Sequence, residues 1–163
     1  MPVFTPVTDA EFAAAIADLA AQIGGEGWAD LIVGIGRGGL VPAVYLSHAT
    51  GLPMVSLDGS GGQAPDLATL AGRLKGRRAV IVDDINDSGR TIARLRAGLA
   101  EAGAGEVRFA VLIDNSASAE QVDYRHRVID RRTVKDWFVF PWEAVASATA
   151  IEADAAEVPD RIG

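Results

Sequence analysis

The sequence predicts a single α/β domain with a mostly parallel central sheet and helices on both faces. Three observations lead to that class. Residues 31–35 and 79–82 are short runs of consecutive apolar residues and 107–113 is apolar except for Arg108, the pattern of strands buried on both faces. Between the runs, apolar residues recur three and four apart, which is the spacing of one helical face. Polar loops containing glycine follow the first two runs, and in a sheet of this kind ligands bind at the carboxyl ends of the strands. A chain of 163 residues has the size of one domain and can bury a real core.

Composition narrows the possible partners. A net charge of -7 opposes general nucleic-acid binding, although a small anion needs only a local cluster of donors, and a metal ion could supply positive charge. With no cysteine, disulfides and cysteine-based zinc sites are excluded. No apolar run has the length of a membrane span and no basic signal sequence opens the chain, so a cytoplasmic enzyme is the simplest placement.

In chain order, residues 1–8 read as a short extended arm. Thr8 with Glu11 fits a capping box opening a helix through about Ile23, with Phe12, Ile16, Leu19 and Ile23 on its buried face and Gly24 and Gly25 as its stop. After strand 31–35 comes the loop Gly36-Arg37-Gly38-Gly39, handing over to a helix that carries Leu40, Val44 and Leu46 and ends near Gly51. Its glycines allow close backbone approach to a ligand, and the planar fork of Arg37 could clamp a phosphate. A short strand is expected at 53–57. Residues 58–66, rich in glycine and polar side chains, have little to bury and read as mobile. Leu67, Leu70 and Leu74 suggest one or two helical turns, with Arg73, Lys75, Arg77 and Arg78 as a solvated basic face.

Residues 79–92 organise the rest. Four apolar residues end at Asp83 and Asp84, Asp87-Ser88-Gly89 follow, and Ile92, Leu95 and Leu99 share the face of a helix ending at Gly103. Strand, polar loop and helix start together make a phosphate site, because the first turn of a helix presents unpaired N–H groups and a partial positive charge. Ser88 and Thr91 add hydroxyl donors, and Arg90 adds a cation. Beyond strand 107–113 lie Asp114-Asn115-Ser116, a strand at 127–129, and an aromatic run at 136–143 with two of the three tryptophans. A helix is expected over 144–156.

Residues 80–91 resemble the phosphoribosyl-pyrophosphate-binding signature of type I phosphoribosyltransferases: an apolar strand, two acids, two variable residues, then Asp-Ser/Thr-Gly-x-Thr. Gly-Arg-Gly-Gly-Leu-Val-Pro is similar to the pyrophosphate loop of the purine enzymes, and residues 136–143 resemble the base-covering segment of bacterial xanthine/guanine phosphoribosyltransferases, with Trp-x-x-x-Pro-Trp-acid. The resemblance implies that residues 1–157 form a domain of the type I phosphoribosyltransferase fold, with a small base-covering hood at about 114–143 and a flexible tail at 158–163. It also implies a strained, cis-capable peptide before Arg37 and a lid near residues 58–66, although the family's usual serine-tyrosine pair is missing there.

The activity so implied is transfer of ribose 5-phosphate from phosphoribosyl pyrophosphate to xanthine, guanine or hypoxanthine, with Mg2+ as cofactor. Asp83 and Asp84 would hold the ribose hydroxyls and the metal. Asp87 would accept the base proton and, with Ser88, Gly89, Arg90 and Thr91, grip the 5-phosphate; Arg37 and Gly38 would hold pyrophosphate. Trp137 would stack on the base, the backbone at Phe138 would read its edge, and Asn115 stands where 6-oxopurine enzymes place a lysine. An asparagine amide can donate or accept, so adenine and pyrimidines stay open as substrates. Lys135 is the nearest alternative cation and is expected to face solvent. A homodimer or homotetramer is implied by the family alone. The competing reading from another class is a nucleotide-sensing regulator on the same fold, disfavoured by the presence of Asp87 and the acidic chain.

Overall fold

A computed structural model describes residues 3–58 and 66–156. The expected lid, apart from its end residues 58 and 66, and the expected tail at 158–163 lie outside the described residues. Strand β1 (Phe4–Pro6) leads into helix α1 (Asp9–Glu26). The capping box is present: Thr8 Oγ1 accepts from the Glu11 N–H at 3.1 Å and Glu11 Oε2 accepts from the Thr8 N–H at 2.7 Å. The expected stop is corrected. Gly24 and Gly25 are helical, and the chain leaves α1 at Gly27, whose φ of 58° is the left-handed cap conformation.

Strand β2 (Leu31–Ile35) runs straight into helix α2 (Gly36–Thr50), so the glycine-rich stretch forms the first turn of the helix and not a separate loop. The change of direction is made at Gly36, with φ of 52°, and no cis peptide occurs among the described residues. The expected cis-capable bond before Arg37 is therefore not seen. Strand β3 (Met54–Leu57) and helix α3 (Leu67–Leu74) follow, the latter capped by Asp66, which accepts from the Thr69 N–H at 2.9 Å.

Strand β4 (Arg78–Asn86) is longer than the apolar run suggests, since it continues through both acids before helix α4 (Arg90–Glu101). Its neighbour β5 (Glu106–Asn115) supplies the reason. It pairs with β4 along its whole length, setting Asp83 opposite Val111 and Asn86 opposite Asp114. Strands β6 (Tyr124–Ile129) and β7 (Trp137–Val139) and helix α5 (Ala148–Ala156) complete the chain, α5 starting four residues later than expected.

Five strands form a wholly parallel sheet in the order β3-β2-β4-β5-β6. Alternate residues face opposite cores. Ile32, Val80, Val82 and Ala110 pack with Leu19, Ile23 and Leu46 of α1 and α2, whereas Val33, Ala79, Ile81 and Phe109 pack with Leu74, Leu95 and Leu99 of α3 and α4. Both faces being covered explains the unbroken apolar runs. The strand order reverses between β2 and β4, and the crevice at that point opens where α2 and the β4–α4 loop begin.

Strand β7 stays out of the main sheet and pairs in parallel with β1, Phe4 opposite Trp137 and Thr5 opposite Phe138. The N-terminal arm thus holds the aromatic run in place, aided by Thr5 Oγ1 donating to Asp136 Oδ2 at 2.5 Å. Among the described residues no helix is long and apolar enough to cross a membrane.

Candidate active site

A cleft of about 600 Å³ opens at the carboxyl end of β4. Asp83, Asp84, Asp87, Ser88, Gly89, Arg90, Thr91 and Asn115 line it, together with Arg131 and Lys135. Arg37, Gly38, Trp137 and Phe138 lie outside its walls. Gly38 nonetheless abuts the acids: a Cβ there would stand 2.6 Å from Asp84 Oδ2, and one on Gly39 would overlap the Val82 carbonyl. Only glycines let the first turn of α2 rest on the end of β4.

The two acids lie side by side. Asp83 Oδ1 accepts from the Asp84 N–H at 2.9 Å, and Asp84 Oδ1 from the Ile85 N–H at 2.7 Å. Burial and then the charge of Asp84 push the Asp83 carboxyl well above the usual carboxylate range. Glu143, which accepts from the Phe140 N–H at 3.0 Å, is also raised, by burial and by the charges of Asp84 and Asp154, with Arg37 opposing. An acid pair of this kind suits an oxygen-seeking cation.

Loop 87–89 turns through Gly89, whose φ is 84° and where a Cβ would meet Ser118 Oγ and the Glu120 nitrogen at 2.8 Å. Helix α4 has no side-chain cap at its start. Its first N–H groups, with Ser88 Oγ accepting from the Arg90 N–H at 3.3 Å, form a positive helix end beside the acid pair.

Behind the loop sits a buried polar network that the sequence did not disclose. Asn86 Nδ2 donates to Asp114 Oδ1 and to the Glu120 carbonyl, each at 2.8 Å. Asn115 is already engaged: its Nδ2 donates to the Asp87 carbonyl at 2.8 Å, and its Oδ1 accepts from the N–H groups of Ala117 and Arg131, each at 3.1 Å. The buried Arg131 bonds Asp87 Oδ1 through Nε at 3.0 Å. Nothing in the periodicity marks Arg131, which sits in a polar turn beside a second arginine; its one sequence cue is its place between a strand and the aromatic run. Lys135 is solvent-exposed, as expected, and still lines the cleft.

Strand β7 shows a further property. The Trp137 N–H donates to the Val3 carbonyl and the Val7 N–H to the Val139 carbonyl, so alternation turns the Phe138 peptide groups to the opposite edge. On that edge Arg131 Nη1 takes the Asp136 carbonyl at 2.6 Å.

Comparison with known proteins places the fold. A purine phosphoribosyltransferase from Pyrococcus horikoshii is 32% identical with a TM-score of 0.70, covering 88% of this chain and 97% of its own. The xanthine-guanine-hypoxanthine phosphoribosyltransferase of Helicobacter pylori shares the fold, with a TM-score of 0.70 over 93% of this chain and 99% of its own at 18% identity. Orotate phosphoribosyltransferase 2 of Mesorhizobium japonicum is 37% identical over 93 residues, 57% of this chain and 47% of that protein; the chain spans about half the length of this curated relative. Residues 7–147 match the family model described as phosphoribosyl transferase domain, and the chain belongs to that family.

Proposed function

We propose that this protein transfers the ribose 5-phosphate group of phosphoribosyl pyrophosphate to a ring nitrogen of a purine, giving a nucleoside 5'-monophosphate and pyrophosphate. The observation that carries the reading is that the acid pair of β4 and the start of α4 line one cleft, with the first turn of α2 packed against the acids. Such a cleft suits a ligand with a phosphate at one end, a hydroxylated sugar in the middle and a pyrophosphate at the other.

In the reaction, the bond from the anomeric carbon to the pyrophosphate oxygen breaks, its electron pair leaving with pyrophosphate, while the base nitrogen supplies the pair for the new bond. Positive charge gathers on the sugar ring, and the carboxylates of Asp83 and Asp84 beside the ribose oppose it. Ser88, Gly89, Arg90 and Thr91 hold the 5-phosphate through the positive end of α4. Arg37 and Gly38, next to Asp84, hold the pyrophosphate. Asp87 takes the proton the base gives up. Trp137 stacks on the base, and the Phe138 peptide groups on the open edge of β7 read it. Asn115 reaches the base only through the second hydrogen of its amide, since its other bonds go to backbone. Asp83 and Asp84 would hold magnesium, which favours a site of one or two carboxylates plus substrate oxygens and, when bound, offsets the charge of the departing pyrophosphate.

The long likeness to the Pyrococcus purine enzyme supports a purine, and the shorter likeness to the Mesorhizobium orotate enzyme supports a pyrimidine as the second reading. Pyrophosphate release, measured with magnesium, phosphoribosyl pyrophosphate and a panel of hypoxanthine, guanine, xanthine, adenine, uracil and orotate, separates them. Release that depends on a purine is expected. Release with orotate or uracil alone transfers the assignment to a pyrimidine, and no release with any base contradicts the catalytic reading.

A further inference from the structure

Arg131 and Arg132 are neighbours with different fates. Arg132 pairs with Asp130 in solvent, whereas Arg131 is 8% exposed. Burying a guanidinium is unfavourable unless its donors are used; in Arg131 Nε and Nη1 are used, while Nη2 is buried with no hydrogen-bond partner among the described residues. Nε donates to Asp87 Oδ1 at 3.0 Å, and Nη1 donates to the carbonyls of Asp136 at 2.6 Å and Val134 at 3.3 Å. Its carbon centre lies 5.5 Å from the centroid of the Phe138 ring. The main chain of the same residue closes a ring: the Arg131 N–H donates to Asn115 Oδ1, and Asn115 Nδ2 donates to the Asp87 carbonyl. Asp87 is therefore held at both its carboxylate and its carbonyl. The group holding the carboxylate also holds the residue before Trp137.

We propose that Arg131 is a positioning residue that sets the carboxylate of Asp87 against the base-reading edge of β7, so that proton acceptor and base stay in register. This rests on the proposed function, in which Asp87 accepts the base proton and Trp137 and Phe138 carry the base. A single planar fork spans a carboxylate on the β4–α4 loop and a carbonyl at the start of β7. An ammonium on a flexible stem cannot reproduce that fork, so charge alone does not suffice. Apart from Asp87 itself, the groups Asp83, Ser88 and Thr91 assigned to phosphoribosyl pyrophosphate receive no hydrogen bond from Arg131 among the described contacts.

The test is steady-state kinetics of Arg131→Lys, Arg131→Gln and Arg131→Ala against the wild type, using whichever base the wild type accepts, with thermal unfolding measured alongside. A misplacement near 1 Å costs on the order of 100-fold in rate, and a kcat loss of that size is expected for Arg131→Gln, with Arg131→Lys restoring about tenfold or less. The KM for phosphoribosyl pyrophosphate should stay within about twofold while the KM for the base rises, and millimolar guanidinium should partly restore Arg131→Ala where urea does not. Should Arg131→Ala not fold, the split between kcat and the two KM values in Arg131→Lys decides. A fall in melting temperature with kcat unchanged would reduce Arg131 to a structural residue and overturn the inference while leaving the proposed function standing. Equal weakening of both substrates would overturn it too. A wild type inactive with every base would instead overturn the proposed function, and the inference with it.

Discussion

Asp87 combines three neighbours in one residue: Arg131 on its carboxylate, Asn115 on its carbonyl, and the start of α4 three residues on. Replacing it with asparagine keeps the shape and removes the proton acceptor. Turnover of Asp87→Asn is expected to fall about 10²–10⁴-fold, with phosphoribosyl pyrophosphate binding, measured by calorimetry, changed only a few-fold. An equal loss in both would assign Asp87 to ground-state binding. A second prediction concerns Asp130, whose carboxyl is held down to about 2 by the hydrogen bonds and charge of Arg132. A depressed acid contributes stability that is present above its ordinary value of 3.8 and lost as pH falls through about 2. Carboxyl NMR should find the midpoint near 2 in the wild type and shifted back toward 3.8 in Arg132→Ala. Residues with periodicity or motif behind them, such as the Thr8–Glu11 box and the Asp83–Thr91 series, were legible in the sequence. Arg131 and the Asn86–Asp114 pair were not, because a buried polar group is defined by partners far away in the chain.

At the scale of elements, the helices were legible and their ends were not, α2 and α5 differing from expectation by four residues at their starts. Gly24 and Gly25 stayed helical because the buried face of Phe12, Ile16, Leu19 and Ile23 carries the helix over them. Strand β4 outran its apolar stretch because backbone pairing with β5 does not depend on whether side chains are acidic. The glycine-rich stretch became the first turn of α2 for a packing reason, since Gly38 and Gly39 lie against Asp84 and Val82. Gly39→Ala should therefore destabilise the fold by about 1–3 kcal/mol or more, seen as a lower denaturant midpoint, by forcing α2 off the end of β4. An unchanged midpoint would mean that the contact is loose.

The molecule as a whole follows from alternation along the strands. Each central strand offers apolar residues to both faces, so helices must cover both, and parallel strands joined through helices place every loop that can carry chemistry at one edge. Fold class was legible for that reason. The small β1–β7 sheet was not, since it pairs residues 4–6 with residues 137–139 and no local pattern announces a contact so distant in sequence. The same separation hid how Phe138 comes to present its backbone edge. The most direct test of the central claim is to incubate the protein with magnesium, phosphoribosyl pyrophosphate and a 6-oxopurine and to identify the product by mass spectrometry. Purine nucleoside 5'-monophosphate in equimolar amount with pyrophosphate is expected. Phosphoribosyl pyrophosphate recovered intact with every base supplied would contradict it.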